Sequence, residues 1–145
     1  MRFIHRFIPV LALLFTLAAT SYAQSARRTV VLIPFDFVAG EQTLPAGTYR
    51  VEPVRRDSYT AWEIRSTAGR AGAVVMTSAL GGVAQSEAGL VFHKYADTYL
   101  LAQVLPAGDL AGRSVIQTRR GRSMSETASA EGRRPEAVAV AARAR

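Results

Sequence analysis

The residues best suited to chemistry lie mainly around one predicted hairpin. His93 is the single histidine beyond the first 23 residues, and its imidazole titrates near neutral pH. Tyr95 and Asp97 follow within four residues, and Tyr59 lies beside another predicted turn. A hydrolase could use His93 with a carboxylate such as Asp97, but a lone histidine in a hairpin more often packs or forms hydrogen bonds. We therefore interpret His93, Tyr95, Tyr59 and Asp97 as contacts for a partner or ligand.

Other motifs for catalysis or metal binding are missing from the sequence. Cysteine is absent, which excludes thiolate chemistry, zinc–thiolate sites and disulfides. There is no Gly-x-Ser-x-Gly elbow, no glycine loop for phosphates and no calcium loop of alternating acids. The carboxylates are scattered, and a solvated strand face explains them better than the paired acids of a glycosidase. We expect no catalytic residue, no metal and no cofactor, and we interpret the chain as non-enzymatic.

The first 23 residues have the three parts of a secretory signal peptide. Arg2 and Arg6 supply a positive start, and residues 7–19 form an apolar run. Small side chains follow at Ser21 and Ala23, the −3 and −1 positions of a cleavage site. The run is shorter than the about 20 residues that a transmembrane helix needs. The pattern predicts a cleaved signal, a periplasmic or secreted protein, and no transmembrane segment after cleavage.

The positive charge of the chain is concentrated near its C-terminus. The formal net charge is +7, and residues 113–145 contain eight arginines against three glutamates. Such a stretch is typical of a solvated extension, and it could also attract an anionic envelope surface. We expect no nucleic-acid partner, because export separates the protein from it and the stretch lacks aromatic residues between its arginines.

The clearest structural pattern is a pair of strands around a polar loop at residues 55–58. Tyr49 and Val51 lie on one face of the first strand, and Trp62 and Ile64 lie on one face of the second. A simple hairpin with this loop pairs Val51 with Trp62 and Tyr49 with Ile64. Charged residues of opposite sign then face each other on the other side, which supports this register.

A second hairpin is predicted around Ala96 and Asp97, with strands over residues 90–95 and 98–105. Apolar residues occupy both faces of these strands. Their register is therefore left open, and the pattern indicates strands that are covered on both sides.

The first strand beyond the signal also alternates, with Val31, Ile33, Phe35 and Phe37 on one face. Because Pro34 lacks a backbone N–H, we expect this strand to lie at a sheet edge or to carry a bulge. Short strands and frequent turns without a sustained helical period are typical of all-β domains. The prediction is a small antiparallel β-sandwich or partly closed β-barrel of six to eight strands.

We divide the mature chain into a β-domain over residues 27–118 and a basic, weakly structured C-terminal extension over residues 119–145. A capping-box spacing begins at Ser123, so a short helix could span residues 123–130. Residues 137–142 are alanine and valine only, and they could form a closing strand or a helix.

Two stretches carry a resemblance to a known group of proteins. The first is Pro-Phe-x-Phe at residues 34–37, followed by Leu-Pro-Ala-Gly-x-Tyr at residues 44–49. The second is Leu-Val-Phe-His-x-Tyr at residues 90–95. Together they resemble small exported proteins of soil bacteria, of the acidobacterial type, whose function is uncharacterised. The resemblance covers residues 30–118 and implies export and a β fold, but it implies no catalytic residues.

These observations favour an exported β-domain with a non-catalytic binding or structural role in the bacterial cell envelope. One alternative is a barrel-type carrier of a small apolar ligand, which would need an empty interior. A less favoured alternative is a hydrolase that uses His93 and a nearby carboxylate. The discriminating observations are whether the interior is filled and whether His93 faces an open cavity.

Overall fold

A computed structural model of the protein describes residues 29–55, 57–81, 87–106 and 112–143, and the predicted signal peptide lies outside these ranges. The fold is all-β as predicted, with a single helix in the described part of the chain. The elements in chain order are β1 (Thr29–Ile33), β2 (Phe37–Ala39), β3 (Gln42–Leu44), β4 (Gly47–Arg55), β5 (Ser58–Ser66), β6 (Gly72–Ala79), β7 (Gly89–Tyr95), β8 (Thr98–Leu105), β9 (Arg113–Val115), α1 (Arg119–Ala130) and β10 (Glu136–Ala141).

The ten strands form one mixed sheet in the order β1-β4-β5-β6-β9-β8-β2-β3. Strand β7 pairs with β8, and β10 pairs with β7. All pairs are antiparallel except β2 with β8, so the prediction of a purely antiparallel sheet is wrong at this pair. Six to eight strands were expected, and the additional ones include the three-residue strands β2 and β3, which are too short to show an alternating pattern.

The sheet curls so that its two halves face each other. The ring of Phe37 in β2 packs edge-on against Tyr49 in β4, although four strands separate β2 from β4 in the sheet order. Among the described residues, the hydrogen-bonded contact between the two ends of the curl is short: Val31 bridges to Ala142, and the Arg143 N–H donates to the Val30 carbonyl at 2.9 Å. The sheet is therefore not closed into a barrel.

Large side chains fill the space between the two halves. The largest fully buried ones are Trp62, Tyr49, Phe37 and Phe92, and Trp62 is 0% exposed. The Tyr49 hydroxyl donates to the Pro45 carbonyl at 2.7 Å, which satisfies its polar end. Burial first, and then the nearby charge of Asp36, raise the pKa of that hydroxyl above its ordinary value.

The first predicted strand is split in two by Pro34. Strand β1 ends at Ile33, and residues 34–36 connect it to β2, which begins at Phe37 and pairs with β8. Phe35 lies in this connection and stacks on Tyr99 with ring centroids 3.8 Å apart. The alternation correctly identified buried side chains on one face, but they belong to two strands in different parts of the sheet.

The register predicted for the first hairpin is wrong over most of its length. Val51 pairs with Ile64, and Pro53 pairs with Trp62, so β5 is shifted by two residues. The shift occurs between Pro53 and Arg55, where the ladder is irregular and Pro53 lacks an N–H to donate. The buried faces are nevertheless those predicted, because a shift of two residues keeps each side chain on its face.

The irregular segment of β5 has its own hydrogen bonds. The Tyr59 carbonyl accepts the Thr77 hydroxyl at 2.6 Å and the Trp62 indole N–H at 3.2 Å. These side-chain donors compensate for the interrupted ladder and hold Trp62 in the core.

The second hairpin forms around the predicted turn, and both of its faces are covered. Tyr95 pairs with Thr98, and Ala96 adopts a positive φ of 51° in the turn. The register shifts at Ala102, because Val91 pairs with Gln103 and Phe92 pairs with Leu101. Leu101 faces the aromatic core, whereas its neighbour Leu100 is buried on the opposite face.

The C-terminal extension is ordered as a helix and a strand, so its description as weakly structured is wrong for residues 119–143. Helix α1 begins at Arg119, four residues before the expected position, because Thr118 accepts the Gly121 N–H as N-cap. Strand β10 pairs with β7 over its whole length, with Val138 and Val140 packed against the core. The tertiary contacts of β7 thus decided between strand and helix for residues 137–142.

Candidate functional site

Helix α1 lies against the outer face of the β7–β8 hairpin. Gly121 and Ala128 are its buried residues, and both are small. A Cβ at Gly121 would lie 3.2 Å from Leu100 Cδ2, so glycine permits the close approach of the helix. The helix therefore covers the face of β8 that carries Leu100.

The end of α1 turns the chain back toward the same hairpin. The Arg133 N–H donates to the Ala128 carbonyl at 2.9 Å, and the Gly132 N–H donates to the Ser129 carbonyl at 3.0 Å. This is the Schellman pattern, and Gly132 has the positive φ of 69° that it requires. The turn places Arg133 and Arg134 beside the β7–β8 turn.

A groove of about 380 Å³ opens between α1, the chain after it and the β7–β8 turn. We call it the α1 groove. Its lining combines apolar, hydroxyl and charged side chains, and the residues are Lys94, Tyr95, Ala96, Ser123, Met124, Thr127, Ala128, Glu131, Arg133 and Arg134. The volume is within the range that small ligands occupy in proteins.

The α1 groove has an excess of positive charge. Three cationic residues line it, Lys94, Arg133 and Arg134, against the single carboxylate of Glu131. Arg133 Nη1 lies 3.5 Å from Glu131 Oε2, and both side chains are at least half exposed. This pair neutralises itself, so Arg134 supplies the charge that an anionic ligand would meet, whereas the Lys94 ammonium lies over the Tyr99 ring, 5.7 Å from its centroid.

His93 lies next to the α1 groove but does not line it. It pairs with Leu100 of β8 and Ala137 of β10, and its ring centroid lies 6.3 Å from that of Tyr95. Its Nδ1 atom is buried without a hydrogen-bond partner in the described part of the chain. Burial lowers the pKa of the imidazole below its ordinary value, so the ring is neutral near pH 7.

Tyr95 and Asp97, the other two predicted contacts of this hairpin, differ in their placement. Tyr95 lines the α1 groove. Asp97 is exposed in the turn and does not line it. The structure therefore brings His93 and Tyr95 together on one strand face. Of the residues predicted as contacts, Tyr95 is the one that lines the groove.

Tyr59 is part of the core boundary rather than of the groove. Its ring stacks on Trp62 with centroids 6.0 Å apart, and it packs against the core cluster. The Arg113 guanidinium lies over the same ring, 4.7 Å from its centroid. This cation–π contact gives the Tyr59 ring a role in packing.

The lining residues from α1 and the chain after it were not predicted as site residues. Arg133 and Arg134 follow a glycine that ends a helix, which is the only local signal for their position. Lys94 is one residue from His93, yet nothing in the sequence indicates that a helix crosses its hairpin. These residues meet only through the fold.

Within the described ranges, histidine and carboxylate side chains form no cluster of three that could hold a metal ion. No helix among those residues has the length and apolar character needed to cross a membrane. Comparison with protein-family models, with curated proteins and with solved structures finds no match to this chain.

Proposed function

We propose that this chain is an exported, non-catalytic binding domain of the bacterial cell envelope whose partner is anionic. The observation that carries the proposal is the α1 groove, where Arg134 carries positive charge and the groove's carboxylate, Glu131, is already paired with Arg133. Cationic groups at a partly enclosed site bind phosphate or carboxylate groups more strongly than the same groups do in open water.

The groove also supports a statement about the shape of the ligand. Met124 and Ala128 contribute apolar surface, and Ser123 and Thr127 contribute polar atoms from the same side of α1. The Thr127 hydroxyl donates to the Ser123 carbonyl at 2.9 Å, so its proton is already used and it does not donate to an anionic ligand. A phosphate or carboxylate joined to a short apolar chain fits this combination.

The arginines of the C-terminal segment support attraction to an anionic envelope surface. Arg119, Arg120 and Arg122 are exposed on α1, and Arg143 is exposed after β10. Because α1 and β10 are anchored to the sheet, these charges are presented from a folded surface, which favours electrostatic steering.

The two alternative functions receive less support. Trp62, Phe37 and Phe92 occupy the interior, which favours binding at the surface over carriage of an apolar ligand inside. A hydrolase would need a carboxylate near His93, but the imidazole is flanked across the strands by Leu100 and Ala137. We therefore do not assign His93 a catalytic role.

Calorimetric titration with hexyl phosphate, hexanol and inorganic phosphate tests the binding proposal. Hexyl phosphate should bind most tightly, and Arg133→Gln with Arg134→Gln should weaken its binding at least about tenfold, as loss of hydrogen bonds to a charged group does. Arg50→Gln with Arg70→Gln removes the same charge from exposed strand and turn positions and serves as the control. Equal loss in both double variants, or no preference for hexyl phosphate, would contradict the proposal.

The envelope location has a separate test. Cells that express the full chain are fractionated, and the N-terminus of the recovered protein is sequenced. We expect a periplasmic or secreted product that begins at Gln24. Recovery of the intact chain from the cytoplasm would contradict the export proposal and leave the groove proposal unaffected.

A further inference from the structure

Three large apolar side chains are exposed together on the outer face of the sheet, around the junction of β6 and β9. They are Val74, Met76 and Ile116, with exposed fractions of 57%, 52% and 53%. The Ile116 N–H donates to the Met76 carbonyl at 2.8 Å, so these two residues are cross-strand neighbours. Val74 is two residues from Met76 on β6 and lies on the same face. We call these three residues the outer patch.

The start of α1 lies directly beside the outer patch. Only two residues separate Ile116 from Arg119, the first residue of the helix. The Thr118 hydroxyl donates to the Gly40 carbonyl at 3.3 Å, and a Cβ on Gly40 would lie 3.5 Å from the Val74 carbonyl oxygen. The β2–β3 turn thus touches both the outer patch and the N-cap of the helix.

Three arginines cluster at this end of the helix. Arg119, Arg120 and Arg122 are all exposed, and the first turn has no acidic residue. Positive side chains are unfavourable at a helix N-terminus, where the helix dipole is already positive. Arg120 also reaches Thr43 at 3.1 Å, which holds its guanidinium beside the β2–β3 turn. An external anion at this end of the helix is therefore electrostatically favoured.

Acidic residues near the outer patch do not cancel this charge. Glu63 faces Val74 across the strands, but Arg65 donates to its carboxylate from the same strand. Glu41 follows Gly40 in the β2–β3 turn, and Glu126 lies one helical turn after Arg122, so two exposed carboxylates stand against three arginines. The neighbourhood of the outer patch is therefore apolar at its centre and positive at its rim.

We infer that the outer patch and Arg119, Arg120 and Arg122 form a docking surface for a lipid bilayer that contains anionic headgroups. Apolar side chains that enter the headgroup region and basic side chains that pair with anionic lipids together provide peripheral attachment to membranes. The surface goes beyond the ligand groove, which lies along residues 123–128 of α1, a helix about 18 Å long at 1.5 Å per residue. Binding at either surface does not require binding at the other.

A lipid bilayer explains both halves of the surface better than other anionic partners do. A soluble polyanion would use the arginines but leave the outer patch in water. A second copy of the chain would cover the outer patch but bring two positive rims together, which is unfavourable. The apolar centre and the basic rim are used at once only at a membrane–water interface.

Flotation with lipid vesicles tests the inference. The protein should float with vesicles of phosphatidylcholine mixed with phosphatidylglycerol and remain unbound with phosphatidylcholine alone. Met76→Ser with Ile116→Ser should lower the partition coefficient at least about tenfold, because two apolar side chains no longer enter the bilayer. Leu32→Ser is the control, since Leu32 is also exposed but lies on β1, which β4 and β5 separate from β6 in the sheet order.

The contribution of charge is measured in the same assay. Arg119→Gln with Arg122→Gln should lower the partition coefficient by roughly fivefold per arginine, and Arg50→Gln with Arg70→Gln should leave it nearly unchanged. Circular dichroism and thermal unfolding of each variant verify that the fold is retained, so a loss of binding is assigned to the surface.

Insertion of the outer patch is measured by quenching with brominated acyl chains. A tryptophan introduced as Ile116→Trp should be quenched in anionic vesicles, whereas Leu32→Trp should not be, and Trp62 is buried in both variants. Vesicle binding that depends on the arginines but not on Met76 and Ile116 would overturn the inference in favour of a purely electrostatic contact. Binding of hexyl phosphate without vesicle binding would overturn it while leaving the groove proposal intact.

Discussion

The aromatic core and the C-terminal segment of α1 and β10 are packed in different ways. The core is filled by large side chains such as Trp62 and Phe92, which contact one another across two halves of a curled sheet. The C-terminal segment instead approaches the sheet closely at glycine. A Cβ on Gly89 would lie 2.4 Å from the Val140 carbonyl oxygen, and one on Gly121 would lie 3.2 Å from Leu100 Cδ2.

The difference shows that two kinds of sequence signal are needed to find a buried segment. Large apolar residues at alternate positions mark the core strands, because their burial contributes most of the hydrophobic stabilisation. Small residues mark the close contacts of α1 and β10, but alanine and glycine are equally common in exposed loops. Substitutions in the two regions can test whether the core depends on side-chain volume and whether the C-terminal segment depends on close approach.

The largest effect is expected in the core. Trp62→Ala should lower the free energy of unfolding by about 3–5 kcal/mol, as removal of a buried aromatic side chain does. Leu32→Ala is the control, because Leu32 is 42% exposed. Urea denaturation of both variants measures the difference. A loss below about 1 kcal/mol for Trp62→Ala would mean that the core does not depend on this side chain.

A smaller loss is expected where β10 meets β7. Gly89→Ala should destabilise the protein by about 1–3 kcal/mol, because the new methyl group meets backbone that cannot rotate away. Hydrogen exchange should quicken in β10 more than in β4 and β5. Gly69→Ala is the matched control, since a Cβ there has no neighbour within 4 Å. Equal effects of the two substitutions would contradict close packing of β10.

A smaller loss of stability than that of Gly89→Ala is expected when the hydrogen bond between Thr77 and Tyr59 at the edge of the core is removed. Thr77→Val removes the hydroxyl that donates to the Tyr59 carbonyl at 2.6 Å, and we expect a loss of about 1 kcal/mol. Thr77→Ser keeps the hydroxyl and should retain that hydrogen bond. If the valine variant were as stable as the wild type, the irregular β5 segment would not need this donor.

The smallest effect concerns pH at the boundary of the two regions, where His93 faces Ala137 of β10. Burial lowers the pKa of His93 in the folded protein, so protonation favours the unfolded chain. The stability associated with neutral His93 should be complete above about pH 6.5 and should be lost as pH falls toward the folded-state pKa. Wild type should therefore lose more stability than His93→Gln between about pH 7.5 and about pH 5.5.

Denaturation curves of the two proteins at both pH values provide the comparison. The difference between them isolates His93 from the carboxylates, which titrate in both proteins. A constant difference, or one that favours the wild type at the lower pH, would show that the imidazole is protonated without cost in the folded state.

Most residues that line the α1 groove could not be predicted from the sequence. Tyr95 was predicted as a contact because it lies beside a recognisable turn, and it lines the α1 groove. Lys94, Arg133 and Arg134 come from segments nearly 40 residues apart in the sequence, and their meeting depends on the path of α1. Asp97 and Tyr59 carry chemistry of the right type, but they lie outside that groove.

The sequence by itself determined the all-β class, the buried faces of the strands and the turn at Ala96 and Asp97, because alternation and turn chemistry are local properties. Only the tertiary structure decided the register of β4 with β5, the split of the first strand at Pro34 and the order of the C-terminal segment. Those features depend on which distant backbone groups supply hydrogen bonds and which small residues admit a neighbouring element. The local pattern of apolar and polar residues identifies neither these backbone partners nor the neighbouring element.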